Sequence, residues 1–254
     1  MFLTRLPTRT DAIPAGAMVL AAGRGRRMMP LTDRVPKPLL EVGGTSVLAR
    51  ALDRLCEAGV ARIVINASWL AEQIEEHVCS RADKRIVVSH EPEPLETGGA
   101  VVRALPLLGP DPFYVINGDS LWFDGMKCPL VRLAEAWDPA RMDILLLLAS
   151  LVRTEGYHGS GDFMMDPDGR LERAPEGIVV PYAYMGLAII APAAIENPPP
   201  GPFSLNVAFD RAEESGRLHG LLHDGLWYHI STPEDLETAR TRVGNGHAPA
   251  VPFF

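Results

Sequence analysis

Five cations stand between positions 24 and 37, namely Arg24, Arg26, Arg27, Arg34 and Lys37, against one acid, Asp33. They follow Gly23-Arg24-Gly25, a turn with no side chain in the way of a ligand at either glycine. Backbone N–H groups exposed at such a turn bind phosphate oxygens, and guanidinium and ammonium groups neutralise the same charge. The stretch reads as a phosphate loop, with a solvated basic loop as the plain alternative. Lys37 lies between Pro36 and Pro38, which restrict the backbone and preorganise its ammonium toward developing charge.

Two further segments carry chemistry. Asn117-Gly118-Asp119 ends an apolar run. A carboxylate there suits Mg²⁺ held against phosphate oxygens, or simply a turn. Leu95-Glu96-Thr97-Gly98-Gly99-Ala100 places two glycines at a helix start. Either a flat base or sugar approaches the backbone there, or Thr97 is an N-cap and the glycines admit close helix packing. Together these residues suit nucleotidyl transfer, in which a sugar phosphate oxygen attacks the α-phosphorus of a nucleoside triphosphate and pyrophosphate leaves. That reaction needs positioning and charge neutralisation more than covalent help. Arg27 and the backbone of 23–27 are expected to hold the β- and γ-phosphates.

The elements that must position these groups follow from periodicity. Apolar runs predict strands at 17–22, 62–67, 86–91, 113–119, 143–152 and 182–190. Amphipathic spacing predicts helices at 46–58, with Ser46 as N-cap and Gly59 as stop, at 69–78 and at 97–108. Residues 161–169 read as a hairpin and 197–202 as a rigid proline loop. A last helix begins at Thr232-Pro233, cap and first helical position. The alternation implies an α/β fold, a Rossmann-like, mostly parallel twisted sheet flanked by helices. Such sheets bind ligands at the carboxyl ends of their strands, where both the glycine turn and Asp119 would fall. The expected domain spans 17–243, with a nucleotide-binding half to about 125 and a sugar-binding half after it. Residues 1–16 and 244–254 read as tails, with Met18 opening the folded part.

Composition narrows the function. The chain has 254 residues, is 47% hydrophobic and carries a net charge of −8. That balance argues against a nucleic-acid partner and makes the basic cluster a local patch for a small anion. No apolar run approaches ~18 residues, so no membrane span is expected. Cys56, Cys79 and Cys128 form no metal pattern, and an odd number fits free thiols in the cytoplasm. The sequence leaves the oligomeric state open, a homo-oligomer included. A dinucleotide-dependent dehydrogenase is excluded, because Gly23-Arg24-Gly25-Arg26-Arg27-Met28 lacks the third glycine of that fingerprint.

The stretch G-x-G-x-R-M-x-P-L-T…P-K-P-L, from Gly23 to Leu39, resembles the signature of sugar-1-phosphate nucleotidyltransferases, and the likeness extends over about 17–240. Within that family the chain is most similar to the N-acetylmuramate 1-phosphate uridylyltransferases of cell-wall recycling. The matching segments are Ile65-Asn66-Ala67-Ser68-Trp69-Leu70, Glu93 to Gly99, and Gly156 to Phe163. The resemblance implies UTP and a sugar 1-phosphate as substrates, with mannose 1-phosphate guanylyl transfer or glucose 1-phosphate uridylyl or thymidylyl transfer as alternatives. It implies that Leu20, Ala21, Ala22, Gly23 and Gly25 meet the nucleotide, Arg27 the triphosphate, and Lys37 the transition state. It puts Glu96 and Gly98 near the base, Asp119 on Mg²⁺, and Asn117, Gly156, Asp162 and Glu172 on the sugar side. One departure stands out. The family commonly ends with Trp, a variable residue and Asp-Val-Gly-Thr, whose aspartate is a second Mg²⁺ ligand; here the segment is Trp227-Tyr228-His229-Ile230-Ser231-Thr232. Imidazole suits hard Mg²⁺ poorly. His229 is expected to meet phosphate as a cation, with Mn²⁺ ligation or a catalytically silent nucleotide-sugar binder as the alternatives.

Overall fold

The computed structural model describes residues 13–246. Of the tails expected at 1–16 and 244–254, residues 1–12 and 247–254 lie outside the described residues. In chain order the elements are β1 (Gly16–Leu20), β2 (Glu41–Val42), β3 (Thr45–Ser46), α1 (Val47–Ala58), β4 (Arg62–Ala67), α2 (Ala71–Arg81) and β5 (Ile86–His90). Then come α3 (Glu96–Leu108), β6 (Phe113–Asn117), β7 (Ser120–Phe123), α4 (Pro129–Ala136), β8 (Ile144–Ser150) and β9 (Thr154–Glu155). The remainder is β10 (Phe163–Met165), β11 (Leu171–Arg173), β12 (Tyr182–Ile190), α5 (Asn206–Glu214), β13 (Leu218–Leu222), β14 (Leu226–His229) and α6 (Pro233–Gly244).

Nine strands form one sheet, in the order β11-β10-β12-β6-β1-β4-β5, with β8 beside β12 and β13 beside β8. The block β6-β1-β4-β5 is parallel. Beyond it β12 runs antiparallel to both β6 and β8. Alternation along the strands sorts the core into two faces. Ala17, Val19, Ile63 and Ile65 pack with α1, α2 and α4 on one side. Met18, Val64, Val115 and Leu146 pack with α3 and α5 on the other. A third cluster joins Met28, Leu121, Tyr228 and Leu236, under the basic loop.

Several boundaries differ from the sequence expectation for physical reasons. The fold opens before Met18, since Ala15 O accepts from the Ala61 and Arg62 amides and β1 starts at Gly16. The strand expected at 113–119 splits at Gly118. Its amide donates to Leu20 O at 2.8 Å, and a Cβ there would sit 2.8 Å from that same oxygen. Asp119 is therefore a corner residue, and β7 leaves to pair with β14 in a separate small sheet with β9. The second helix begins at Ala71 instead of Trp69, because Leu70 adopts φ 52. Thr97 does not cap α3; its hydroxyl accepts from the Leu205 amide at 2.8 Å. Thr232 does cap α6, reciprocally with Asp235.

Candidate active site

The sheet reverses its winding between β1 and β6, and a cavity of about 420 Å³ opens at the carboxyl ends of these strands. Leu20 and Asn117 are register partners there, and both line the cavity. So do Ala21, Ala22, Gly23, Gly25, Arg27 and Lys37 from the basic loop, with Glu96 and Asp119 from the segments beyond it.

The basic loop is held by its own turns. Gly25 has φ 62, a conformation that favours glycine. Its carbonyl accepts from the Met28 amide at 2.8 Å and the Thr32 hydroxyl at 2.9 Å. Trp69 anchors the far side, its indole N–H donating to Thr32 O at 2.9 Å. Arg24 stacks over the same ring at 4.2 Å, so the cluster divides. Arg24 is committed to Trp69, whereas Arg26 and Arg27 are exposed, line the cavity and form no ion pair among the described residues. Lys37 Nζ lies 2.5 Å from Asp119 Oδ2.

Two residues that carried no role in the sequence reading hold the first strand's end. The Ala21 amide donates to Asn66 Oδ1 at 2.7 Å, and Asn66 Nδ2 donates to Glu91 Oε1 at 2.9 Å. Glu91 is buried, and its other oxygen accepts from the Leu95 amide at 3.3 Å. Asn66 and Glu91 both line the cavity. The available signal was a polar residue closing each of two adjacent apolar strands, at the carboxyl end where ligands bind.

Other expected residues fall elsewhere. Gly98 faces the Phe203 ring, where a Cβ would meet Cε2 at 2.4 Å, and its amide donates to Phe203 O. This is the packing alternative, and Gly98 does not line the cavity. Gly156 has φ 75 and lies against His229 O, which a Cβ would approach to 2.6 Å. Asp162 Oδ2 accepts from the Tyr184 amide at 2.8 Å. Glu172 is exposed on β11 opposite Met164. None of these three lines the cavity.

His229 ends β14, paired in register with Ser120, next to Asp119. Burial pushes its pKa below the ordinary histidine value; Asp119 opposes that shift, and Lys37 and Arg27 add to it. Burial therefore favours the neutral ring over the cation expected from sequence. Among the described residues no three His, Cys, Asp or Glu side chains gather as a metal cluster. Asp119 Oδ1 has no hydrogen-bond partner among the described residues.

The nucleotidyl transferase family profile matches residues 16–155. The chain is 40% identical over 235 residues to an N-acetylmuramate alpha-1-phosphate uridylyltransferase of Caulobacter vibrioides, covering 91% of this chain and 97% of that one. It is 35% identical over 232 residues to the enzyme of the same name from Neisseria meningitidis, covering 90% and 98%. Its fold matches a putative glucose-1-phosphate thymidylyltransferase from Bacillus anthracis with a TM-score of 0.75 at 18% identity, covering 94% of this chain and 97% of that one.

Proposed function

The chain belongs to the nucleotidyl transferase family, and on that footing we propose that it makes a UDP-sugar and pyrophosphate from UTP and a sugar 1-phosphate. N-acetylmuramate 1-phosphate is the sugar phosphate favoured by the names of its relatives, and a role in peptidoglycan recycling in the cytoplasm is part of this reading. One observation carries the chemistry. A lysine and a carboxylate meet at the mouth of a glycine turn that also presents two arginines with no ion pair among the described residues.

Arg27 and the amides of 23–27 hold the triphosphate tail. The sugar phosphate oxygen attacks the α-phosphorus, the α–β phosphoanhydride bond breaks, and pyrophosphate carries the electron pair away. Lys37 neutralises charge that builds on the α-phosphate oxygens, at a position already set by Asp119 and the prolines beside it. The Asn66–Glu91 pair keeps the backbone at Ala21 in place under the nucleotide. The residues present fit a divalent cation such as Mg²⁺ or Mn²⁺, since one carboxylate with substrate phosphates is a usual donor set for it. Bound there at Asp119, it would withdraw charge from the phosphate oxygens.

The test is pyrophosphate release from UTP and N-acetylmuramate 1-phosphate in Mg²⁺ and in Mn²⁺, with Asp119→Asn as control. Release that disappears in the variant is the expected result. Tight UDP-sugar binding with no turnover on any sugar phosphate or base would instead favour the silent binder that His229 raises.

A further inference from the structure

Ser231 and His229 form a contact that the reaction outlined above leaves unused. Ser231 Oγ lies 2.6 Å from His229 Nε2. Ser231 is 5% exposed, and it lines the same cavity as Lys37 and Asp119. Its backbone is fixed, because the Ser231 and Thr232 amides donate to Asp235 Oδ2 at 3.0 and 2.9 Å. The His229 ring is fixed as well, set edge-on to Tyr157 at 5.5 Å and to Trp227 at 5.4 Å. The family pattern has aspartate and glycine where this chain has His229 and Ser231. Here both positions carry polar side chains, and the two bond to each other.

A hydroxyl in one hydrogen bond can still make another. If the serine donates to Nε2, its oxygen offers the cavity only lone pairs, which repel phosphate. If Nε2–H donates to Oγ, the serine proton is left for an acceptor. Lys37 and Arg27 draw phosphate to this end of the cavity and so select the second arrangement. Building on the phosphate-transfer reading, we infer that the Ser231 hydroxyl donates to a substrate phosphate oxygen. His229 is then a positioning residue that acts through Ser231. The phosphate belongs either to the triphosphate or to the sugar 1-phosphate.

The experiment compares wild type with Ser231→Ala, His229→Phe, the double variant and His229→Gln. UTP and N-acetylmuramate 1-phosphate are titrated separately by calorimetry, KM and kcat are measured for each, and thermal melts check folding. Ser231→Ala and His229→Phe should each weaken one ligand by about tenfold, the scale of a hydrogen bond to a charged group, and the ligand affected identifies the source of the phosphate. The double variant should be no weaker than either single one. His229→Gln, whose amide N–H replaces Nε2–H, should recover most of the loss. Affinity, KM and kcat within twofold of wild type for both ligands in Ser231→Ala overturns the inference, as do losses that multiply in the double variant. If His229→Phe melts early, Ser231→Ala and His229→Gln decide. Wild type that binds both ligands without releasing pyrophosphate defeats the transferase reading alone, because the calorimetric comparison still judges Ser231.

Discussion

Lys37 and Asp119 are 82 positions apart in the chain, yet Nζ and Oδ2 are 2.5 Å apart in the structure. The lysine is largely covered, and the carboxylate is 38% exposed. Neither group is free at rest, so a phosphate that enters shares the ammonium with Asp119. The pair fixes the lysine in the cavity lining before any ligand arrives, which is preorganisation in the electrostatic sense.

Lys37→Ala should therefore lower kcat by about 10²–10³, the range seen when one preorganised charge stabiliser is removed, with the melting temperature little changed. Lys37→Arg should not restore the rate, since a planar fork cannot take the place of a compact ammonium seated against Asp119. Steady-state pyrophosphate release measures both. A rate within tenfold of wild type for Lys37→Ala would remove the lysine from the transition state.

Asn66→Ala should cost both stability and nucleotide affinity. It leaves the Ala21 amide without its partner, and Glu91 keeps only the long bond from Leu95. An unsatisfied buried group costs about 1–3 kcal/mol, and for a domain of this size each kcal/mol lowers Tm by roughly 2–4 °C. Calorimetric melts with and without UTP separate the two effects.

Gly98→Ala should destabilise by about 1–3 kcal/mol through overpacking, because the new methyl would press on the Phe203 ring. Phe203→Leu in the same chain should recover part of the loss. A Gly98→Ala variant that melts like wild type but loses nucleotide affinity would return Gly98 to the ligand-contact role expected from the family.

Stability should decline below about pH 6.5. His219 and His223 are buried, and burial pushes both pKa values down. Arg141 and Arg170 add to the shift at His219, against Asp166 and a backbone hydrogen bond. At His223 the Phe123 carbonyl and Asp224 oppose it, and Arg132 adds to it. In the unfolded chain each titrates near ~6.5. As pH falls the unfolded state takes up protons first, so the stability present above that pH is progressively lost below it. Urea midpoints at pH 7.5 and 5.5 measure the slope, and His219→Leu should flatten it. An unchanged slope in that variant would remove His219 from the acid response.

Much of the site was legible because it is local. The glycine turn and the corner at Asp119 follow strands that periodicity marks, Arg27 and Lys37 stand on the loop after the first of them, and all line one cavity. The helix at Thr232 was legible for the same reason, its cap and first-turn proline being neighbours in sequence. Gly98 and Glu172 lie outside the cavity, which sequence alone does not reveal, because a glycine or an acid has the same local look whether it faces a ligand, an aromatic ring or solvent.

The sequence by itself determined the main strands that periodicity marks, where the phosphate loop begins and which chemistry its residues suit, since these depend on side-chain type and short-range spacing; it gave no sign of β7, β13 or β14. Only the tertiary structure decided which of those residues share a cavity. It brought Asn66 and Glu91 under Ala21, turned Arg24 away onto Trp69, and joined His229 to Ser231 beside the Lys37–Asp119 pair. Those contacts depend on strand order and on the split of the chain at Gly118, where backbone crowding against Leu20 sends β7 out of the main sheet. A long-range steric constraint of that kind leaves no periodic trace in the residues it acts upon.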